Sequence, residues 1–181
     1  MKEQITRLSA ECSEFLSLSR GLPLIKALPA DGEFIRKVKV RKKKSSDDFV
    51  SKFNSAFDDM YNNLYGRSIF CNGEHAESTL GKEQFYVFPI NGFSFLFNPS
   101  VSYHKEYQEL YEKMIKYMPV EECQKVFVDI ISYSYKESNV NLNEAILTKK
   151  EIILFGIPYY YAIRVDRFPD YTVLLNDLKQ V

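Results

Sequence analysis

The sequence predicts a single α+β domain spanning residues 1–181, with helices in the N-terminal two thirds and strands towards the end. Apolar residues recur every three to four positions in several early segments, whereas they alternate with a period of two in later ones. The strand segments are not separated by regular helices, so a doubly wound parallel sheet is not expected. With 45% hydrophobic residues, a chain of this length can bury a core of its own.

The N-terminal region is expected to form a helix over 2–14, a strand over 15–20 and a loop over 22–35. The helix follows from apolar residues at helical spacing, and the strand from the alternation of apolar and polar residues in FLSLSR. Prolines and an Asp-Gly pair predict the loop. The next stretch, 36–44, holds seven positive charges, and its interleaved valines predict that part of it is a strand with outward charges.

A second helix is predicted over 47–64, because Ser-Ser-Asp-Asp is a typical helix start and a stripe of phenylalanines follows on one face. A short strand is expected over 67–71, followed by one or two helical turns within 74–80. Aromatic-rich segments with a period of two predict strands at 84–90 and 92–97, and the Asn-Gly pair between them is typical of a hairpin turn.

The last part of the chain is expected to contain a helix over 103–117, which a proline ends. Residues 125–135 alternate as a strand does, although a helix that starts near position 120 is an alternative. Two strands joined at Gly-Ile-Pro are predicted within 151–165, and the tail, 170–180, is ambiguous.

Charge and cysteine content exclude several classes of protein. Lys plus Arg and Asp plus Glu both number 24, which excludes a globally basic nucleic-acid coat protein but not a local basic patch. Three distant cysteines without a CxxC pair predict neither a zinc site nor a disulfide framework, and they favour the reducing cytoplasm. Because no long apolar run exists, we expect a soluble protein that does not bind a membrane. We also expect a monomer. Phosphate-binding loops and the GxSxG and HExxH motifs are absent.

Three short motifs lie at the ends of predicted strands. Ser-Arg-Gly, with Arg20, ends the first strand, and Arg-Ser-Ile-Phe, with Ser68, opens a later one. Glu151 heads an apolar strand that precedes the tyrosine-rich segment PYYYAI. Taken singly, each motif is an ordinary feature, such as a strand-end arginine in a salt bridge or a solvated glutamate.

As an ordered set, these motifs resemble the mono-ADP-ribosyltransferases of the Arg-Ser-Glu class, which include bacterial toxins and bacteriophage enzymes that modify host proteins. In that family a first strand ends in Arg, a second carries Ser-Thr-Ser, and a late strand carries Glu-x-Glu or Gln-x-Glu before a tyrosine-rich strand. The layout agrees over roughly residues 15–165, although Ser-Thr-Ser is reduced to Ser68 and Lys149 replaces the upstream acid. The resemblance implies a split pair of small antiparallel or mixed sheets, with Arg20, Ser68 and Glu151 converging in the cleft between them.

The resemblance also implies a metal-free reaction with NAD. Cleavage of the nicotinamide–ribose bond passes through an oxocarbenium-like transition state, and the leaving group is already cationic, so it needs no general acid. Glu151 would orient the ribose hydroxyl and stabilise the developing positive charge. Ser68 would donate a hydrogen bond to Glu151 and hold its rotamer.

Further residues are expected to bind NAD. Arg20 would pair with the pyrophosphate, and Gly21 would let the backbone approach the nicotinamide amide. Phe70, or a tyrosine such as Tyr160, would pack on the nicotinamide ring.

Two basic features bear on the acceptor of ADP-ribose. Lys149 precedes Glu151 by two positions, so on a strand both side chains would share a face. A cation there would repel an arginine and attract an anionic group, so we expect arginine to be a poor acceptor. The patch formed by Arg41, Lys42, Lys43 and Lys44 is either a solvated loop or a docking site for a polyanionic acceptor.

The sequence therefore predicts a mono-ADP-ribosyltransferase that transfers ADP-ribose from NAD to a host protein or nucleic acid in the bacterial cytoplasm. One alternative is a catalytically degenerate transferase fold that acts as a binding module, for instance a phage inhibitor of a host factor. Another is a small nucleic-acid-binding domain that uses 36–44 together with exposed tyrosines.

Overall fold

The computed structural model describes residues 2–30, 32–40, 48–57, 61, 63–74, 81–137 and 141–179. Within these ranges the helices are α1 (Lys2–Glu11), α2 (Ser13–Leu18), α3 (Asp48–Ser55), α4 (Lys105–Met114), α5 (Val120–Ser134), α6 (Leu142–Leu147) and α7 (Tyr171–Lys179). The strands are β1 (Ile25–Pro29), β2 (Ile35–Lys39), β3 (Ile69–Asn72), β4 (Lys82–Pro89), β5 (Ser94–Phe97), β6 (Lys136–Glu137), β7 (Glu151–Phe155) and β8 (Tyr159–Arg164). The predicted α+β class is confirmed.

The described strands form one sheet in the order β2-β8-β4-β1-β3-β7-β5-β6, and all neighbouring strands are antiparallel. Its two halves meet between β1 and β3, where Ile25 and Asn72 form the pair that joins them. The resemblance predicted two separate small sheets. The structure instead has two halves of four strands each, held together at this narrow junction.

Two clusters of buried side chains cover the sheet. The first core packs strand residues against α1, α2, α6 and α7, and the second core packs them against α3, α4 and α5. Consecutive residues of β7 point to opposite clusters, with Ile152 in the first core and Ile153 in the second. Glu151 shares the parity of Ile153 and therefore faces the second core.

A close approach between β3 and α6 requires a glycine directly after β3. A Cβ atom on Gly73 would lie 2.1 Å from the carbonyl oxygen of Ile146. Since that oxygen belongs to the backbone and cannot rotate away, only glycine allows α6 to pack this near to the end of β3.

Several predicted elements are confirmed, although their pairing differs. Helices occur within 2–14 and 103–117, and strands occur within 84–90, 92–97 and 151–165. However, β4 pairs with β1 and β8, while β5 pairs with β6 and β7, so the Asn-Gly turn does not form a hairpin. In the same way, β7 and β8 belong to different halves of the sheet. The ambiguous tail forms α7.

Three predictions of local structure are wrong. Residues 15–20 were expected as a strand, but 15–18 belong to α2 and 19–20 form the turn after it. The Phe15 ring of α2 packs edge-on against the Phe88 ring, with 5.7 Å between their centroids. Residues 125–135 lie almost wholly in helix α5, the alternative that the sequence left open. The expected loop 22–35 contains strand β1, which ends at Pro29. A proline is tolerated there because β3 pairs with β1 only at Ile25, so Pro29 has a neighbouring strand, β4, on one side only.

The predicted helix 47–64 is represented by α3, and the turns expected within 74–80 lie almost entirely outside the described residues. None of the helices in the described part of the chain is long and apolar enough to cross a membrane.

Candidate active site

A cavity of about 940 Å³ lies where the two halves of the sheet meet. One wall is formed by residues of β1, β2 and β8, and the other by β3 with the turn before it and by His104 at the start of α4. The narrow junction between β1 and β3 thus gives the cavity side chains from both halves. Its volume lies in the range of roughly 300–1,000 Å³ that is typical of small-molecule sites.

Three of the residues predicted from sequence come together in this cavity. Ser68, Phe70 and Tyr160 all line it, although they belong to different strands or to the turn before β3. The Phe70 ring contacts the His104 ring, with 4.3 Å between their centroids. Burial raises the pKa of Tyr160, which keeps its hydroxyl neutral.

Glu151 lies behind the cavity wall and is 1% exposed. Its Oε1 accepts a hydrogen bond from the Tyr135 hydroxyl at 2.7 Å, and its Oε2 accepts one from the backbone N–H of His104 and contacts the His104 Nδ1, both at 2.8 Å. The predicted hydrogen bond from Ser68 to Glu151 is wrong, because the Ser68 hydroxyl donates to the carbonyl of Leu64. Glu151 is therefore positioned by His104 and Tyr135.

A chain of polar groups connects this buried carboxylate to the cavity. His104 Nδ1 contacts Glu151, and its Nε2 lies 3.3 Å from the hydroxyl of Tyr65. His104 and Tyr65 both line the cavity. The inner side of the pair is dry because Glu151 and Tyr135 are both buried, and this burial, reinforced by the Glu151 carboxylate, raises the pKa of Tyr135.

The wall formed by β1, β2 and β8 carries two cations, Lys26 and Arg36. Lys26 lies directly opposite Phe85 in the register of β1 and β4, and the Arg36 guanidinium lies 4.0 Å from the centre of the Phe85 ring. Arg36 is only 8% exposed and donates to the carbonyl of Pro29. Lys26 donates to the carbonyl of Phe70 across the junction of the two halves. The lining also holds Lys37, Lys39 and Lys82 against one carboxylate, Glu33, so the cavity has an excess of positive charge next to aromatic surface.

Arg20 and Gly21 do not take part in this site. Arg20 is exposed after α2 with a φ of 50°, and a Cβ on Gly21 would meet Leu175 of α7 at 3.4 Å. Helix α7 belongs to the first core, whereas Glu151 faces the second. The predicted convergence of Arg20 with Ser68 and Glu151 is therefore wrong, and the cavity instead holds the strand-borne cations Lys26 of β1 and Arg36 of β2.

Lys149 is also not placed as predicted. It ends the turn after α6 with a φ of 58°, outside β7, and its backbone N–H donates to the carbonyl of Ile146. Its side chain is 66% exposed, and its ammonium lies 3.7 Å from the carboxylate of Glu74. Because Lys149 is not on the strand, its side chain does not share the face of Glu151. Its position therefore gives no reason for Lys149 to select the acceptor.

The basic tract is described only as far as residue 40, so the patch of Arg41, Lys42, Lys43 and Lys44 lies outside the described residues. The predicted strand within the tract is confirmed as β2. Its charges do not all point outward, because Arg36 turns into the cavity while the Lys37 ammonium lies 3.6 Å over the Tyr159 ring.

Within the described ranges, no three His, Cys, Asp or Glu side chains gather in a way that could hold a metal ion. The three cysteines are buried and unpaired, and burial raises the pKa of Cys12 and Cys71 to about 12. Neither thiol is poised to act as a nucleophile.

The fold and the site together define an α+β protein with a cationic, aromatic-lined cavity beside a carboxylate–imidazole pair. Comparisons with protein-family models, with curated proteins and with solved structures find no match for this chain. The function is therefore inferred from the geometry of the cavity and from the chemistry of the residues that line it.

Proposed function

We propose that the protein is a mono-ADP-ribosyltransferase that uses NAD as its ADP-ribose donor, and that the cavity is the NAD site. The observation that carries this proposal is the union, in one cavity, of Ser68, Phe70 and Tyr160 with the cations Lys26 and Arg36. The first three are residues that the motif pattern selects. Lys26 and Arg36 supply the positive charge that the motif pattern had assigned to Arg20.

The cationic wall suits the pyrophosphate of NAD. A pyrophosphate carries two negative charges, and Lys26 and Arg36 provide two positive ones in the same cavity. Arg36 can offer a planar fork of donors, and its burial strengthens its attraction for an anion because the local dielectric is low.

The opposite wall suits an aromatic ring. Phe70 and His104 form a joined aromatic surface, and Tyr65 packs against both of them with centroids 5.3 and 5.4 Å away. Nicotinamide stacked here would hold its bond to ribose next to His104 and close to the negative charge of Glu151. The pyrophosphate would then extend across the junction towards Lys26.

Glu151 is too deeply buried to orient the ribose hydroxyl by direct contact, which is the role that the sequence predicted. Its oxygens are occupied by Tyr135 and His104, so its negative charge acts on the reacting ribose from behind the imidazole. A fixed charge in a dry environment stabilises a developing cation without reorganisation, and such groups supply a large part of many rate enhancements.

The same burial favours a second candidate, a binding module that holds a nucleotide without turning it over. A carboxylate that is 1% exposed does not touch a ligand in the cavity unless the site rearranges. Binding of NAD without release of nicotinamide would identify this alternative.

Calorimetric titration of NAD into the full chain, combined with an assay for released nicotinamide, tests the proposal. We expect one binding site and slow release of nicotinamide. Lys26→Gln should weaken NAD binding by about tenfold, the effect of losing one charge-assisted contact. Lys125→Gln, which removes an exposed lysine on α5 far from the cavity lining, is the matched control and should bind as the unaltered protein does. Absence of NAD binding, or equal binding by both variants, would overturn the assignment of the cavity.

A further inference from the structure

The chain from Glu151 through His104 to Tyr65 has a defined direction. The Glu151 carboxylate accepts three hydrogen bonds, from the Tyr135 hydroxyl and from the backbone N–H and Nδ1 of His104. An ionised carboxylate is an acceptor only, so we assign the imidazole proton to Nδ1, the nitrogen that faces Glu151.

The other imidazole nitrogen is then the basic one. With Nδ1 protonated, neutral His104 carries its lone pair on Nε2, which faces the Tyr65 hydroxyl at 3.3 Å on the cavity side. The His104 side chain is 26% exposed, so a substrate in the cavity can reach it. The arrangement is that of a base oriented by a buried carboxylate, the second and third members of a hydrolytic triad.

We infer that His104 is the general base of the transfer reaction and that the acceptor is a hydroxyl group, an inference that rests on the proposed NAD site. A hydroxyl is a poor nucleophile at neutral pH until a base takes its proton, and an oriented imidazole performs this task well. An arginine acceptor is disfavoured for two reasons. Its guanidinium keeps its proton in a protein, and the cationic wall of Lys26 and Arg36 repels it.

The step balances without any further reagent. The acceptor oxygen forms a bond to the anomeric carbon of the nicotinamide ribose, and the bond from that carbon to the nicotinamide nitrogen breaks. Its electron pair neutralises the pyridinium charge, so nicotinamide leaves as a neutral molecule. The acceptor proton passes to His104 Nε2, where Glu151 stabilises the imidazolium, and it is then lost to solvent. Water reacts in the same way and gives free ADP-ribose.

His104→Asn is the variant that isolates the base. Its amide N–H can still donate to Glu151, so the buried carboxylate keeps a partner, but the Nε2 lone pair is gone. At saturating NAD, which offsets any loss of the ring contact between His104 and nicotinamide, we expect nicotinamide release to fall by about 10²- to 10⁴-fold, the usual contribution of general base catalysis. The pH profile of nicotinamide release should differ between the two proteins, because the variant has no imidazole at this position.

A second variant covers the case in which His104→Asn loses stability. His104→Ala opens space beside Glu151, and added imidazole should restore at least a tenth of the lost rate. Equal rates and equal pH profiles in the unaltered protein and in His104→Asn, with NAD bound by both, would overturn the role of His104 and leave the proposed function standing. Failure of the unaltered protein to bind NAD would overturn both.

The acceptor class has a test of its own that needs no knowledge of the natural target. Methanol and an arginine ester are offered in turn as small acceptors, and the products are separated by mass spectrometry. We expect methyl ADP-ribose to form and the arginine ester to stay unmodified. Preferential modification of the arginine ester would show that the acceptor is not a hydroxyl.

Discussion

Replacing Glu151 with glutamine removes one charge from the centre of the site while keeping the size of the side chain. In the structure the carboxylate accepts from Tyr135 on one oxygen and twice from His104 on the other. The glutamine carbonyl can still accept from His104. Its amide group, however, then faces the Tyr135 hydroxyl, which must change from donor to acceptor.

The size of the effect follows from these contacts. Hydrogen bonds to a charged group contribute about 1.5–3 kcal/mol each, against about 1 kcal/mol for neutral partners, and the substitution converts charged bonds to neutral ones. Relief from burying a charge offsets part of the loss. We expect Glu151→Gln to lower the free energy of unfolding by about 1–3 kcal/mol, which for a domain of this length lowers Tm by about 2–12 °C.

Urea denaturation followed by circular dichroism measures this change, and nicotinamide release measures the loss of activity, expected to be about 100-fold or more. Glu109→Gln removes the same charge from an exposed site on α4 and should change stability by less than about 0.5 kcal/mol. Unchanged stability and unchanged nicotinamide release in Glu151→Gln would refute the view that this buried carboxylate organises the site.

Two further predictions concern surface groups. Hydrogen bonds from Arg7, Tyr161 and Tyr159 hold the pKa of Glu11 at about 2, so its stabilising contribution is complete above the ordinary pKa of about 4.3 and is lost as the pH falls towards 2. Glu11→Gln should therefore lose less stability than the unaltered protein between pH 5 and pH 2.5, as followed by thermal denaturation, and an equal loss would contradict this. Lys149→Glu should leave NAD cleavage unchanged within about twofold, because the side chain is exposed and lies outside β7. A large change in the rate would restore Lys149 to the site.

The parts of the fold that the sequence predicts correctly are those with one dominant face. Residues 103–117 bury Tyr107 and Tyr111 at a spacing of four, which indicates a helix without ambiguity. Helix α5 buries Cys123, Phe127 and Ile131 at the same spacing, but the sequence KVFVDIISYSY also alternates, so both periods fit it. Strand β1 has a proline at its end and no clear alternation, and tertiary pairing decides its conformation.

The order of strands could not be predicted from local patterns. The Asn-Gly turn between β4 and β5 predicts a hairpin, yet the two strands diverge into different halves of the sheet. Each strand pairs elsewhere: β4 pairs with β1 and β8, and β5 pairs with β7. Long-range burial outweighs a favourable turn sequence here.

For the site, motif order identified Ser68, Phe70 and Tyr160 as cavity residues but gave no hint of His104. His104 and its partner Glu151 are 47 positions apart. They meet because β5 pairs with β7, and the chain continues alongside β7, where the Glu151 backbone N–H donates to the carbonyl of Val101. Only the sheet topology brings the imidazole to the carboxylate.

A crystal structure of the full chain with NAD is the most direct test of whether the cavity between the two halves of the sheet is the NAD site. We expect the pyrophosphate between Lys26 and Arg36, the nicotinamide ring on Phe70, and the anomeric carbon of its ribose on the His104 side of the cavity. NAD bound outside this cavity, for instance beside the exposed Arg20, or the absence of bound NAD at saturating concentration, would contradict it.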